Sequence, residues 1–471
     1  MRIYFLGIAG TAMGNAALLL RAMGHEVMGC DQAVFPPMST LLEEAGIEIM
    51  QGYSADRLRE LDPDLVVVGN AYSRGNEEVE FLLQSRSIDY ASLPEVILRH
   101  VLSKRRNIVI TGTHGKTTTT ALTSFLLEQA NANPGYMIGG APLDPEKGWS
   151  VGQDGGAFVI EGDEYDSAFF DKRSKFIHYL PNIVVLNNLE FDHADIFRDL
   201  QDVKRTFSHL LRLIPSNGYL LVNSDDENAL SLSELDFTTV YRVGLSGNSD
   251  LCIGNYETTP LGSRFDLFWQ GKLWQSVDWR LTGLFNARNA AMASLAAALS
   301  QTEDPLGFDL KSLDGFRGVK RRQQIRVERK GLTVIEDFGH HATAVRDTLS
   351  ALRSRFPDTK IVACFEPRSN TSRLEIMRAP TIEALSNADL AYIGAVKSGN
   401  SVGVELMDTS SLAADLREAG TEAKAFENNE DLYRALRSLA GTSDGKTLVI
   451  FFTNGSFGGV IDRFVSLCQE A

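Results

Sequence analysis

Apolar residues in this chain gather in short runs that stop at glycine or acidic residues. Residues 3–6 run into Gly7, Gly10 and Gly14, and a helical stretch follows that ends near Gly24. A second run, 26–29, stops at Asp31, and a third, 65–68, stops at Gly69 and Asn70. Strand, glycine turn, helix, strand is the βαβ pattern of a doubly wound parallel sheet. The pattern restarts after Lys104-Arg105-Arg106, where strand 108–111 leads into Gly112-Thr113-His114-Gly115-Lys116-Thr117 and a helix expected over 121–129. It restarts again after Lys320-Arg321-Arg322, with strands expected at 333–336, 361–365 and 448–452. Two restarts predict three α/β domains, 1–105, 106–322 and 323–471, with hinges near residues 105 and 322.

Composition narrows the picture. A chain of 471 residues has room for two to four domains, and 44% hydrophobic with 23% charged residues describes an ordinary folded protein. The formal charge of −15 divides as −5, −7 and −3 over the three segments, so none is basic enough to expect a nucleic-acid partner. No run of 18 apolar residues predicts a membrane span, and the amino-terminal residues lack the pattern of a secretory signal. Cys30, Cys252, Cys364 and Cys468 lie far apart, suit neither a zinc site nor a disulfide framework, and lead us to expect a reducing, cytoplasmic setting.

Residues 111–118 carry the clearest chemistry. Glycines let backbone N–H groups turn around phosphate oxygens, and the following helix start adds positive potential. Lys116 is placed to reach the β- and γ-phosphates of ATP, and the Thr117 hydroxyl to ligate Mg2+. Ile110 stands where a full Walker A loop has glycine, so this is a GxxGKT variant; the alternative is a chance Gly-Lys-Thr at a helix start. The loop 7–14 has Ala9 in place of the second glycine of GxGxxG, with Asp31 at the next strand's end. By itself it admits NAD, the diphosphate of a UDP-sugar, or no ligand; the separate ATP loop shifts weight away from NAD.

Two acidic segments follow strands in the central domain. Glu161 opens a stretch with five acids between 161 and 171, placed either to hold Mg2+ or to form a solvated mixed-charge loop with Lys172, Arg173 and Lys175. His193 ends the run Asn187-Asn188-Leu189-Glu190-Phe191-Asp192, as a second metal ligand or as a structural histidine.

Taken in order, Thr-Gly-Thr-His-Gly-Lys-Thr (111–117), Glu161, Asn-Leu-Glu-Phe-Asp-His (188–193), Asn286 with Asn289, Arg321-Arg322 and Asp337-Phe338-Gly339-His340-His341 resemble the Mur ligases, ATP-dependent amide ligases of peptidoglycan synthesis. The resemblance spans all three segments. It implies a Rossmann-like UDP-sugar-binding domain, a central ATPase domain with a mostly parallel sheet, and a Rossmann-like third domain for the peptide. Further stretches, namely Pro36-Pro37-Met38-Ser39-Thr40, 74–80, 169–176, 365–371 and Ser456-Phe457-Gly458-Gly459, resemble the branch that joins L-Ala-γ-D-Glu-meso-diaminopimelate to UDP-N-acetylmuramate. The rival branch adds L-alanine alone. Outside the family, an NAD-dependent oxidoreductase and a nucleotide-binding regulator without turnover are the alternatives.

The resemblance also implies residue roles. ATP would lie on Gly112, Thr113, His114, Gly115, Lys116, Thr117 and Thr118, with Asn286, Asn289, Arg322 and Asp337 around it. Thr117, Glu161 and His193 would hold Mg2+, and Lys116, Glu161 and His193 form the expected catalytic set. Gly10, Thr11, Ala12, Met13, Asp31 and Ser73 would meet the UDP-sugar, and Arg368, Ser369, Asn370 and Arg373 the peptide. Ser208 stands where some members carry a carbamylated lysine, with Lys204 one turn earlier, so no carbamate is expected. A monomer or weak homodimer is expected.

Overall fold

Every residue from Ile3 to Leu6 is buried, which requires cover on both faces of the strand Arg2–Leu6. That strand lies at the centre of a five-stranded parallel sheet, in the order Glu48–Gln51, Glu26–Asp31, Arg2–Leu6, Leu65–Val68, Asp89–Ser92. The chain leaves the first strand to one side and later returns to the other. The loop after Leu6 therefore occupies the switch point at the strands' carboxyl ends, where open α/β sheets leave a crevice. We describe residues 1–36, 38–396, 405–440 and 446–470 of a computed structural model; Pro37, within the stretch 36–40, lies outside the described residues.

The second sheet has ten strands. Arg106–Thr111 lies between Ala157–Glu161 and Ile183–Leu186, all parallel. Tyr219–Asn223 and Thr239–Gly244 continue the parallel part. Beyond them Leu251–Thr259 turns into Gly262–Trp269 and Lys272–Trp279 as an antiparallel meander. That meander, half-covered with Phe265, Leu267 and Trp269 buried and Asp266 and Phe268 between them only partly so, adds strands that the apolar runs do not announce. The third sheet has six strands: Gln324–Arg329 antiparallel to Leu332–Asp337, then Thr447–Phe452, Lys360–Phe365, Leu390–Ile393 and Glu422–Ala425 in parallel.

One expectation needs correcting. The helix after the phosphate loop spans Lys116–Gln129 and does not wait until residue 121. Four successive threonines weaken the helical signal, because β-branched hydroxyl side chains are poor helix formers in isolation. Here hydroxyls of the run find partners: Thr120 bonds back to Lys116 O at 2.9 Å, while Thr117 and Thr119 bond across to Glu161 and Asn289, each at 3.1 Å. Burial of Thr117 through Thr120 against neighbouring elements outweighs the propensity. All four cysteines are free, and among the described residues no helix is long and apolar enough to cross a membrane.

Candidate active site

Strand register brings three loops together. Ile110 pairs with Glu161 and Thr111 with Leu186, so the segments 112–115, 162–165 and 187–193 leave one corner of the central sheet side by side. Gly115 takes φ +83°, and a Cβ there would stand 2.5 Å from Asn289 Oδ1, so only glycine fits. It leaves the first turn of Lys116–Gln129 without a side-chain cap. Free N–H groups at the positive end of a helix dipole make an anion site. Asn188 braces the loop, accepting Thr113 N–H at 3.0 Å on its carbonyl and His114 N–H at 2.7 Å on Oδ1.

Lys116 points back into this corner. Its Nζ donates to Gly112 O at 2.7 Å and to both oxygens of Glu164 at 3.0 and 2.9 Å. Glu164 also meets His193 Nε2 at 3.0 Å. Burial opposes charge on all three, but mutual attraction wins. Lys116 and His193 are held above their ordinary pKa by Glu164, and Glu164 is held below its own, first by Lys116. The phosphate-loop lysine is therefore charge-paired within the protein. In the sequence Glu164 is one of five acids between 161 and 171, and its 4% exposure beside Lys116 singles it out.

Thr117 Oγ1 donates to Glu161 Oε2 at 3.1 Å, and Glu161 Oε1 accepts Gly139 N–H at 2.6 Å. A hydroxyl and a carboxylate oxygen side by side suit a hard dication, and burial pushes the Glu161 carboxyl pKa up, offset only in part by the Gly139 N–H, Lys116 and Arg322. The other acids of this segment are paired: Asp163 with Lys175 at 2.6 Å, Asp166 with Lys172 at 2.7 Å, Asp171 with Arg173 at 2.8 Å.

Lys116, Thr117, Glu161, His193, Asn286, Asn289, Arg322 and Asp337 line one cavity of about 600 Å³, together with Ala12 and Leu93 from the first sheet's unit and Thr343 from the third. The cavity thus sits where the three units meet. Arg322 lies over the Phe338 ring, 4.7 Å from its centroid. Asp337 accepts N–H groups of Gln323 at 2.8 Å and Gly339 at 2.6 Å, which ties the hinge to the third sheet. Asn286 and Asn289 direct polar atoms into the packing: Asn286 Nδ2 donates to Thr282 O at 2.8 Å, and Asn289 Oδ1 accepts from Thr119 at 3.1 Å.

The other expected contacts are more dispersed. Gly10, Thr11 and the exposed Ser73 do not line this cavity. The Asp31 carboxylate turns toward its own loop, accepting Ala9 N–H at 3.0 Å and Gln32 N–H at 2.8 Å. Asn15, one turn into the helix Thr11–Ala22 beyond Met13, donates to Ile138 O at 2.9 Å and joins the first unit to the second. Arg368, Ser369, Asn370 and Arg373 also lie outside the cavity lining, but their loop touches it: Thr371 Oγ1 accepts Ala194 N–H at 3.1 Å, next to His193. Lys204 and Ser208, on the helix Leu200–Leu211, are not among the lining residues.

Family models match along the chain in order: the Mur ligase family catalytic domain at residues 2–104, the Mur ligase middle domain at 110–298 and the Mur ligase glutamate ligase domain at 321–453. The chain is 39% identical over 467 residues to the UDP-N-acetylmuramate–L-alanyl-γ-D-glutamyl-meso-2,6-diaminoheptandioate ligase of Escherichia coli (strain K12), covering 99% of this chain and 98% of that protein. The chain belongs to the Mur ligase family. It is also similar to the crystal structure of a murein peptide ligase from Psychrobacter arcticus, with a TM-score of 0.72 at 32% identity over 100% of this chain and 99% of that one. A UDP-N-acetylmuramate–L-alanine ligase of Clostridium novyi is 29% identical over 450 residues, 95% of this chain and 94% of that protein. The three-part α/β architecture and the ligase class read from the motif series both stand.

Proposed function

We propose that this Mur ligase joins the tripeptide L-Ala-γ-D-Glu-meso-diaminopimelate to UDP-N-acetylmuramate at the expense of ATP, in peptidoglycan recycling. The observation that carries the reading is the full-length similarity to a ligase whose name states those substrates, 39% against 29% for the alanine-adding relative. We assign UDP-sugar binding to residues 1–105, ATP to 106–322 and the peptide to 323–471.

The muramic carboxylate attacks the γ-phosphorus of ATP, giving an acyl phosphate and ADP; the peptide amine then attacks the acyl carbon and releases phosphate. Each step moves negative charge, so the protein's part is positioning and cationic stabilisation. Lys116 exchanges Glu164 for the β- and γ-phosphates, and Arg322 answers phosphate charge from the hinge. The Thr117 hydroxyl and Glu161 carboxylate, 3.1 Å apart, fit Mg2+, with His193 as a further ligand once it leaves Glu164. The metal would neutralise phosphate charge. Asn286, Asn289 and Asp337 shape the nucleotide end of the cavity. The loop 368–373, with Arg368, Ser369, Asn370 and Arg373, offers the peptide carboxylates guanidinium and hydroxyl partners beside His193. Gly10 to Met13, Asp31 and Ser73 belong to the UDP-sugar side.

Phosphate release from ATP, measured with UDP-N-acetylmuramate plus either the tripeptide or L-alanine, tests the reading. Turnover with the tripeptide is expected. Turnover with L-alanine only would overturn the branch, and turnover with neither would overturn the ligase assignment.

A further inference from the structure

A second group of donors faces inward where the third unit meets the phosphate loop. His114, Glu190 and His341 each offer one ligand atom, and the three atoms lie within 4.8 Å of one another. From Glu190 Oε2, His341 Nδ1 is 3.2 Å away and His114 Nε2 3.6 Å. The three arrive from separate places: the phosphate loop, the loop after strand Ile183–Leu186, and the N-cap of the third unit's helix Ala342–Arg355.

Their hydrogen bonds decide where the lone pairs point. His341 Nε2 lies 3.2 Å from Phe191 O, which only accepts, so Nε2 carries the hydrogen. His341 Nδ1 accepts Thr343 N–H across a long 3.4 Å, so in this neutral ring it carries none. It therefore offers a lone pair beside a carboxylate oxygen that also only accepts. His114 Nε2 is buried beside the same oxygen, too far for a hydrogen bond and without a hydrogen-bond partner among the described residues. One proton can bridge one pair of these atoms; a cation between them serves all three.

We propose that His114, Glu190 and His341 form a binding site for one transition-metal dication of the zinc class, separate from the Thr117–Glu161 pair. Two imidazoles and a carboxylate, with one position open to the cavity, are a donor set that zinc takes and Mg2+ does not favour. In a tetrahedron with bonds of about 2.1 Å, ligand atoms stand about 3.4 Å apart. The distances of 3.2 and 3.6 Å bracket that value, and the histidine–histidine edge lies within 4.8 Å. The outer contacts are in place as well: Phe191 O orients His341, and the Thr343 hydroxyl donates to Glu190 Oε2 at 2.6 Å. The metal would replace the long capping bond to Thr343. Because His341 starts a helix of the third unit and His114 lies in the phosphate loop, an occupied site pins the two units together beside the nucleotide cavity.

The test reads metal binding and not turnover, so it stands apart from the ligase assignment. Full-length protein is stripped with EDTA and titrated with Co2+, whose visible absorption is strong in tetrahedral sites and weak in octahedral ones. The expected result is one equivalent with a tetrahedral spectrum, displaced by Zn2+ and retained in His193→Gln. Affinity should fall at least about 100-fold in Glu190→Gln and in His341→Asn. Asparagine keeps a helix cap, and circular dichroism confirms that both variants fold. A weak octahedral spectrum would overturn the proposal. So would a strong one that survives both substitutions or disappears with His193→Gln.

Discussion

Two glycine loops in this protein share a plan and differ in what stands behind them. Each follows a buried parallel strand and opens a helix whose N-cap is glycine without a side-chain cap, Gly10 in the first and Gly115 in the second. Behind the first loop stands an acid: Asp31 accepts Ala9 N–H, and Gly7, at φ +93°, leaves no room for a Cβ against the Tyr72 ring. Behind the second stands a half-buried cation, Lys116, held by the buried Glu164. A loop with backbone donors alone can hold a diphosphate that keeps its charge. A loop with a mobile lysine can also answer charge that builds up during phosphoryl transfer. On the proposed function, the first loop binds and the second carries the chemistry.

The comparison breaks first at Lys116. Lys116→Ala should lower phosphate release about 100- to 1000-fold, as loss of a transition-state charge contact does, while leaving UDP-sugar affinity within about twofold by calorimetry. Undiminished turnover would return the two loops to equal standing. Glu164→Gln comes next. It leaves a half-buried lysine half-answered, and unfolding stability without nucleotide should drop by about 3 kcal/mol in denaturant titration. Saturating ATP should narrow that gap, since phosphates take over the lysine; an unchanged gap would mean that Lys116 never leaves Glu164.

Gly115→Ala should cost about 1–3 kcal/mol through its left-handed backbone and the contact with Asn289, again by denaturant titration. In the first loop, Asp31→Ala should raise KM for the UDP-sugar about tenfold with kcat nearly unchanged, because it loosens a binding loop and touches no reacting atom. An equal loss in kcat would sink the division of labour.

The smallest effect is one of pH. Burial would raise the Asp163 carboxyl pKa, but Lys175 and Lys116 outweigh it and hold it at about 2. That is below an unfolded value of about 3.9, so the pair's contribution is complete above that pH and fades as pH falls through 2. The stability difference between the wild type and Lys175→Met should therefore shrink on acidification from pH 4 to pH 2.

Much of this organisation is legible in the chain. Apolar runs ending in glycine or acid announce parallel strands, and Gly-Lys-Thr after such a run announces an anion loop, because both depend on neighbours in sequence. The Thr117–Glu161 pair is also within reach of the sequence, since Thr117 closes the phosphate-loop motif and Glu161 ends a predicted strand. Three features were not. The helix start at Lys116 was masked by threonines whose hydroxyls find partners only once the helix is packed. The antiparallel meander 251–279 mixes polar and charged residues into its strands over most of their length, unlike the buried apolar runs that mark the other strands. Glu164 and Glu190 look like any acids in an acidic stretch, and neither cluster exists until strand register brings segments more than 40 residues apart into contact.

What the sequence determined by itself was the inventory: three α/β units, a phosphate loop, and the acids and histidines placed at strand ends. Only the tertiary structure decided which carboxylate answers which cation. Glu164, and not Glu161, holds both Lys116 and His193, and His341 crosses from the third unit to meet Glu190. The physical reason is that local periodicity depends on residues a few positions apart. Charge pairing is set by distances of about 3 Å across the sheet and between units, and burial gives those contacts their strength.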